Sequence, residues 1–191
     1  MRYIELVEKI GRTGLIRPRD IPFFGKPSTI RPQLSKWKQQ GKLIELRKGF
    51  YILLSRIKPA PPLFYLANAL LFPSYVSLQS ALSYYGFIPE AVFAITSVST
   101  RRTRKFSTPL GTFIYRKIKQ ELFWGYSKVN FGEFNALVAV PEKALLDTVY
   151  ITHENLDSLR LQNLEDLNKE KLEKMLEKFP LWVRSKVEDI L

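Results

Sequence analysis

Hydrophobic residues near the start of the chain recur at the three- and four-residue spacing of an amphipathic helix. They lie between Tyr3 and Ile10, and Gly11 and Gly14 follow them, so we predict a first helix of about ten residues. Pro18 suits the first turn of a helix, and Asp20 suits the positive end of its dipole. A short second helix is therefore expected to begin near Pro18.

A third helix is predicted from about Thr29 to Gln40. Ser28 or Thr29 is the candidate N-cap, Pro32 would fall in the first turn, and Gly41 would end the helix. At 100° per residue, three apolar side chains lie within about 60° of one another and form one stripe. They are Ile30, Leu34 and Trp37.

Two short apolar runs follow the third helix and predict a β-hairpin. One contains Leu43 and Leu46, the other spans residues 50–52, and Arg47, Lys48 and Gly49 lie between them. Three helices and then a hairpin is the order of elements in a winged helix-turn-helix. In that arrangement the third helix enters the major groove of DNA, and the hairpin is the wing beside it.

The remainder of the chain predicts a mixture of helices and strands, so the fold class expected for the whole chain is α+β. Helices are expected at 63–72 and 77–86, strands at 91–100, 110–118, 122–126 and 134–140, and a helix from Pro141. From Leu156 onward, the spacing of apolar residues predicts two or three amphipathic helices. The predicted domains are a winged helix-turn-helix at 1–57, a proline-rich linker at 58–62 and an α+β domain at 63–191.

The net charge of +12 is concentrated at the start of the chain. Residues 1–60 contain 14 Lys and Arg against 4 Asp and Glu, whereas residues 154–191 contain 7 against 9. A strongly basic module joined to a nearly balanced one is typical of a protein that meets a polyanion through one domain.

Several classes of function are disfavoured by residues that are missing. The 191 residues include no cysteine and one histidine, His153, so thiolate catalysis, cysteine-ligated zinc and multi-histidine metal sites are excluded. No cluster of carboxylates is evident, and we expect no catalytic residue, no metal and no cofactor. The N-terminal residues lack the apolar run of a signal peptide, and no stretch is long enough to span a membrane. A cytoplasmic protein is expected.

The candidate DNA-binding residues follow from the predicted helix and wing. Long basic and amide side chains on the helix can reach base edges or phosphates, hydroxyl groups at its start can bind phosphate, and basic residues at the wing tip can neutralise phosphate. The set is Ser28, Thr29, Arg31, Ser35, Lys36, Gln39, Arg47 and Lys48. A solvated helix face would also carry such residues, but basic side chains on two adjacent elements favour nucleic acid.

A second basic segment lies between two predicted strands, at residues 101–109. It is predicted to be a loop and contains Arg101, Arg102, Arg104 and Lys105. These four residues could contact nucleic acid or a partner, although a solvated loop is an equally good interpretation.

Three motifs follow the basic N-terminal module in the chain. They are Ser80, Ala81, Leu82 and Gly86, then Gly111 to Tyr115, and then Pro141-Glu142-Lys143-Ala144-Leu145-Leu146-Asp147. In this order of segments, the chain resembles the AbiEi-type family of antitoxins and transcriptional regulators from type IV toxin–antitoxin systems. The resemblance covers about residues 10–150.

The resemblance implies a repressor that binds operator DNA upstream of its own operon. It also implies that the second domain neutralises a nucleotidyltransferase-like toxin, and in type IV pairs this need not involve direct contact. The motif from Pro141 to Asp147 could form part of an antitoxic surface, but the same residues also suit a buried helix start. Two other functions stay open: a winged-helix module that binds RNA or nonspecific DNA, and, less favoured, an enzyme acting on nucleic acid.

Overall fold

The computed structural model describes residues 1–10, 13–53, 61–89, 93–153 and 156–188. The chain divides into two compact units. The first unit is Met1–Pro62 with Phe106–Leu110, and the second is Leu63–Lys105 with Gly111–Leu191. Residues 58–60 of the predicted linker lie outside the described residues, so only Pro61 and Pro62 of that segment are placed.

The described part of the first unit contains three α-helices and a small antiparallel sheet. Its elements are α1 (Tyr3–Ile10), β1 (Leu15–Ile16), a 3-10 turn (Pro18–Asp20), α2 (Ile21–Phe24), α3 (Pro27–Gln39), β2 (Leu43–Arg47) and β3 (Phe50–Leu53). The strand order is β1-β3-β2, with both pairings antiparallel. The three predicted helices and the predicted hairpin are confirmed. The two-residue strand β1 was not expected, because it has no alternating pattern of its own.

One hydrophobic core holds the first unit together. Leu6 of α1, Leu34 of α3 and Leu53 of β3 are fully buried in it. The ring of Tyr3 meets the edge of Trp37 with centroids 5.6 Å apart. Because α3 buries its apolar stripe against the other helices and the sheet, its opposite face is turned to solvent.

In the residues that the structure describes, the second unit combines five α-helices with a six-stranded mixed sheet. Its elements are α4 (Leu63–Leu70), β4 (Tyr75–Val76), α5 (Gln79–Tyr84), β5 (Ala94–Ser99), β6 (Arg104–Thr108, of which Phe106 onward is counted with the first unit), β7 (Gly111–Lys117), β8 (Tyr126–Phe131), β9 (Phe134–Ala139), α6 (Pro141–Thr152), α7 (Lys169–Leu176) and α8 (Leu181–Val187). The strand order is β6-β7-β5-β4-β9-β8. The α+β class is therefore confirmed.

Pairing in the large sheet mixes two directions. β4 is antiparallel to β5 and parallel to β9, β5 is parallel to β7, and β9 forms a hairpin with β8. The helix α6 begins at Pro141, as predicted, and its residues from Glu142 to Val149 are all buried. An amphipathic pattern was not visible there because the helix is covered on nearly every side.

Two predictions for the second unit are wrong in part. Residues 101–109 are not one loop, since Arg104–Thr108 forms the strand β6 at the edge of the sheet. The strand predicted at 122–126 is replaced by a 3-10 turn at Gln120–Leu122, and the strand β8 begins only at Tyr126. In the tail, two of the predicted amphipathic helices are confirmed as α7 and α8. Among the described residues, no helix is long and apolar enough to cross a membrane.

Candidate nucleic-acid interface

The helix α3 begins earlier than the sequence predicted. Its N-cap residue is Lys26, whose carbonyl accepts the N–H groups of Thr29 at 2.9 Å and Ile30 at 3.0 Å. Ser28 and Thr29 are therefore inside the helix, and neither is the N-cap. Pro27 occupies the first helical position, where a missing N–H costs nothing.

Pro32 also lies deeper in α3 than predicted. It stands in the second turn rather than the first, and it faces solvent. A proline there removes the intrahelical bond that would otherwise reach the Ser28 carbonyl.

The polar face of α3 carries all the helix residues predicted to bind DNA. Ile30, Leu34 and Trp37 are buried on one side. The residues on the other side are exposed, and they are Ser28, Thr29, Arg31, Ser35, Lys36 and Gln39. They cover more than three turns of one face, which is the geometry required of a helix that lies in a major groove.

The predicted wing residues lie at the end of β2 and in the turn that follows it, with Arg47 as the last residue of β2 and Lys48 in the turn. Lys48 is exposed, whereas Arg47 is half-buried and its guanidinium lies 4.0 Å above the ring of Phe50. Gly49 has φ +82°, and a Cβ there would come within 3.1 Å of Pro18. Glycine therefore suits both the turn and this close approach, and any other residue there would be strained. Lys48 is the more accessible of the two cations, and Arg47 is held in place by the aromatic ring.

Sequence reasoning missed Glu45, an acidic residue within this basic region. Its carboxylate accepts hydrogen bonds from Lys38 Nζ at 2.5 Å and from the Gly49 backbone N–H at 3.3 Å. Glu45 thus joins the last turn of α3 to the hairpin turn. The antiparallel register of β2 and β3 places Glu45 opposite Tyr51, but the partner on α3 could not be identified without the packing of helix on strand.

Hydrogen bonding shifts the pKa values in this network. The pKa of Lys38 is raised by its hydrogen bond to Glu45. Partial burial alone would raise the pKa of Glu45, but the hydrogen bonds from Lys38 and Gly49 hold it below the ordinary value. Burial, and then the charge of Glu45, raises the pKa of Tyr51. The ion pair is therefore present at neutral pH and neutralises one of the cations of α3.

The second predicted basic cluster is divided between a turn and a strand. Arg101 and Arg102 precede β6, and Arg104 and Lys105 are its first two residues. All four side chains are exposed. Charged residues on an edge strand also discourage edge-to-edge pairing with another chain, so their positions have a structural explanation as well.

The motif from Pro141 to Asp147 is buried and therefore presents no charged surface. Lys143 and Asp147 form an ion pair with both side chains fully buried. The Asp147 carboxylate also accepts hydrogen bonds from the Tyr75 hydroxyl at 2.9 Å and the Ser77 hydroxyl at 2.8 Å. The Glu142 carboxylate forms an ion pair with the Lys171 ammonium of α7, at a distance of 2.8 Å between oxygen and nitrogen. Of the two interpretations given above, the structure supports the buried helix start.

Burial shifts the pKa values of this pair in opposite directions. It raises the pKa of Asp147 and lowers that of Lys143, because a low-dielectric environment disfavours each charged form. The i, i+4 spacing of a lysine and an aspartate on an otherwise apolar helix was the only sequence signal for the pair.

No metal centre is indicated by the residues that the structure describes, since they contain no group of three or more His, Asp or Glu side chains that could hold an ion. In comparisons with known proteins, no family model and no curated protein matches this chain.

Proposed function

We propose that the first unit is a winged helix-turn-helix that binds duplex DNA in a sequence-specific manner. In this proposal α3 lies in the major groove and the turn between β2 and β3 contacts the adjacent backbone. The observation that carries the proposal is the outward face of α3, where six exposed polar residues flank Pro32 in a module with a large excess of positive charge. Arg31, Lys36 and Gln39 have the length and the donors to read base edges.

The network of Glu45 supports a fixed angle between helix and wing. A carboxylate that bonds both Lys38 and the Gly49 N–H holds the hairpin turn beside the end of α3. Preorganised elements bind a rigid duplex with a smaller loss of entropy than mobile ones. The pairing also leaves Arg31 and Lys36 as the cations of α3 that face the groove.

The first experiment identifies a binding site and then tests the helix. Duplexes enriched from a random library by the full chain are titrated with the wild type, Arg31→Ala and Lys36→Ala. If each residue reads a base, its variant loses about 1 to 3 kcal/mol of binding free energy, or roughly 5- to 150-fold in Kd. Arg184→Ala removes the same charge from an exposed residue of α8 in the second unit and is expected to leave affinity unchanged.

Substitution at the wing is expected to change DNA binding differently from substitution on α3. Lys48→Ala should weaken binding to every duplex by a similar factor and reduce the salt dependence by about one phosphate contact. Sequence-specific readout would be contradicted if the selection enriched no particular sequence, or if the wild type and the α3 variants bound with equal affinity. A complex that is lost to excess unrelated duplex would instead favour the nonspecific nucleic-acid module.

We infer from the resemblance to AbiEi-type proteins that the protein represses its own operon and acts as an antitoxin. The expected functional partner is a nucleotidyltransferase-like toxin encoded beside it. Repression is tested with a reporter under the upstream DNA, and antitoxin activity by co-expression with the neighbouring reading frame. Arg31→Ala should relieve repression while leaving protection from the toxin intact, since only the first of these depends on α3. Protection that fails in the wild type would contradict the antitoxin role without affecting DNA binding.

A further inference from the structure

A pocket of about 390 Å³ lies within the second unit, where the end of β7, the end of α6 and the start of α8 meet. Its walls include Lys117, Lys119, Tyr150, His153 and Trp182. The volume is within the range of sites that bind small molecules. None of these residues belongs to α3 or to the wing, so the DNA-binding proposal leaves the pocket unexplained.

Three nearly parallel rings form one wall of the pocket. The Trp182 ring is stacked on Tyr150, with centroids 5.8 Å apart and planes at 18°, and on His153, at 4.7 Å and 21°. Tyr150 and Trp182 are half-buried, whereas His153 is exposed. A planar heterocycle entering the pocket can therefore extend an existing stack, and such stacking accepts any nucleobase because every base has a π-face.

His153 keeps its ring on this stack at a conformational cost. It ends α6 with φ +59°, a left-handed position that glycine or asparagine usually occupies. The Lys186 ammonium donates a hydrogen bond to the His153 carbonyl, which holds the backbone in this conformation. A glycine would satisfy the helix end more easily but would provide no ring.

Two lysines supply positive charge beside the rings. Lys117 and Lys119 are both exposed and line the pocket. The Lys119 ammonium lies 3.5 Å from a carboxylate oxygen of Glu121. Because both side chains are largely exposed, this ion pair is weak. Among the described residues that line the pocket, none is acidic. The charge therefore favours an anion next to a planar aromatic group.

We propose that this pocket binds a nucleotide, with its base stacked on the rings of His153 and Trp182 and its phosphate held by Lys117 and Lys119. The same chemistry is offered by a free nucleotide and by an unpaired nucleotide of a single strand. Duplex DNA does not offer it, because its bases are already stacked within the helix. The proposed ligand therefore differs from duplex DNA, and the pocket belongs to the second unit whereas α3 belongs to the first.

The test is calorimetric titration of the full chain with the four ribonucleoside monophosphates, their triphosphates, a 5′-phosphorylated RNA tetranucleotide and inorganic phosphate. At least one nucleotide or the RNA is expected to bind at least tenfold more tightly than inorganic phosphate. Binding of monophosphates at the affinity of the RNA would identify a site for free nucleotides. Binding of the RNA alone would identify a site for a single strand.

Variants assign the binding to the pocket. His153→Asn tolerates the left-handed backbone and removes the ring, so we expect affinity to fall at least fivefold without a change in thermal stability. Lys117→Ala with Lys119→Ala should reduce it at least tenfold, and Trp182→Phe should retain most of it. Lys128→Ala, an exposed lysine on β8, is the matched control and should change affinity less than twofold.

Three results would overturn the proposal. The first is the absence of binding by any nucleotide or the RNA at millimolar concentration. The second is phosphate binding as tight as nucleotide binding, because stacking would then contribute nothing. The third is nucleotide binding that survives the pocket variants but is lost in Arg31→Ala with Lys36→Ala, which would assign it to the first unit.

Discussion

Replacing Lys143 by methionine should destabilise the second unit in a manner that depends on pH. The Lys143 ammonium is fully buried beside Asp147 and lies 5.3 Å from the centroids of both Trp124 and Phe179. Methionine is close to lysine in length and contacts aromatic rings favourably, so the substitution removes the charge with little loss of packing. Its main effect is to leave the Asp147 carboxylate buried without a cation.

The magnitude follows from the protonation of Asp147. In the unfolded chain Asp147 has an ordinary pKa near 4. If its carboxylate cannot stay charged in the fold, folding at pH 7 requires that it take up a proton. Three pH units at about 1.4 kcal/mol per unit set a ceiling of about 4 kcal/mol. The hydroxyls of Tyr75 and Ser77 still bond the carboxylate, so we expect a loss of about 3 to 4 kcal/mol, as is typical when one partner of a buried pair is removed.

The direction with pH follows from the raised pKa of Asp147 in the folded variant. Asp147 has an ordinary pKa in the unfolded chain and a raised pKa in the folded variant. Between these two values the folded state of Lys143→Met binds more protons than the unfolded state, so its stability falls as pH rises. The loss relative to the wild type should therefore decrease to about 1.4 kcal/mol at pH 5 and be largest at neutral pH. In the wild type the Lys143 ammonium offsets part of the effect of burial on the pKa of Asp147, so this dependence is weaker.

Urea denaturation followed by tryptophan fluorescence at pH 5, 6 and 7 measures the effect. Lys128→Met, at an exposed lysine of β8, is the matched control and should change stability by less than about 0.5 kcal/mol. Combining Lys143→Met with Asp147→Asn removes both charges and should abolish the pH dependence. A penalty for Lys143→Met that is equal at pH 5 and pH 7, or below about 1 kcal/mol at pH 7, would refute the reasoning.

Two further predictions concern single positions. Gly125→Ala should cost about 2 to 3 kcal/mol of unfolding free energy, because Gly125 has φ +75° and a Cβ there would lie 2.8 Å from Lys143 Cγ. The control is Gly132→Ala, at φ +70° with nothing within 4 Å of the added Cβ, which should cost only about 1 kcal/mol. Equal losses of stability for the two variants in thermal melts would contradict the close contact. Glu45→Gln should weaken the ion pair with Lys38 and destabilise the first unit at neutral pH. Since the pKa of Glu45 is lowered in the fold, its contribution is present above about pH 4.3 and lost as pH falls further, so wild-type and variant melting temperatures should converge near pH 3.

Much of the first unit could be predicted because its signals are local. The helix α3 was predicted within about two residues at its start, because buried Ile30, Leu34 and Trp37 recur at helical spacing and Gly41 ends the segment. The hairpin was predicted for a similar reason, since two apolar runs flank a turn that requires glycine at position 49. The predicted N-cap was wrong because Pro27 occupies the first helical position, so the helix begins before both hydroxyl residues.

The candidate interface was predicted in part. The exposed face of α3 follows from the helical period, so Arg31, Ser35, Lys36 and Gln39 lie on the face where the sequence placed them. Ser28 and Thr29 are also exposed, but they lie inside the helix rather than at its N-cap. Glu45 was missed because its partners, Lys38 and the Gly49 N–H, are brought to it by the packing of α3 on β2. The half-burial of Arg47 on Phe50 has the same origin.

The pocket beside Trp182 and the distant partners of the buried ion pair could not be predicted from the sequence. Lys117 is 36 positions before His153 and 65 before Trp182 in the chain, and no local pattern connects them. Tyr75 and Ser77 reach Asp147 from about 70 residues away.

By itself, the sequence determined the helices, most of the strands and the concentration of positive charge in the first sixty residues. Those features depend on periodicity, turn residues and composition, which act over a few neighbouring positions. The tertiary structure alone decided that Arg104–Thr108 pairs as an edge strand, that Lys143 is buried with Asp147, and that His153 is stacked on Trp182. Each of these depends on which distant segments share a core, because burial and pairing are properties of the packed chain rather than of any segment within it.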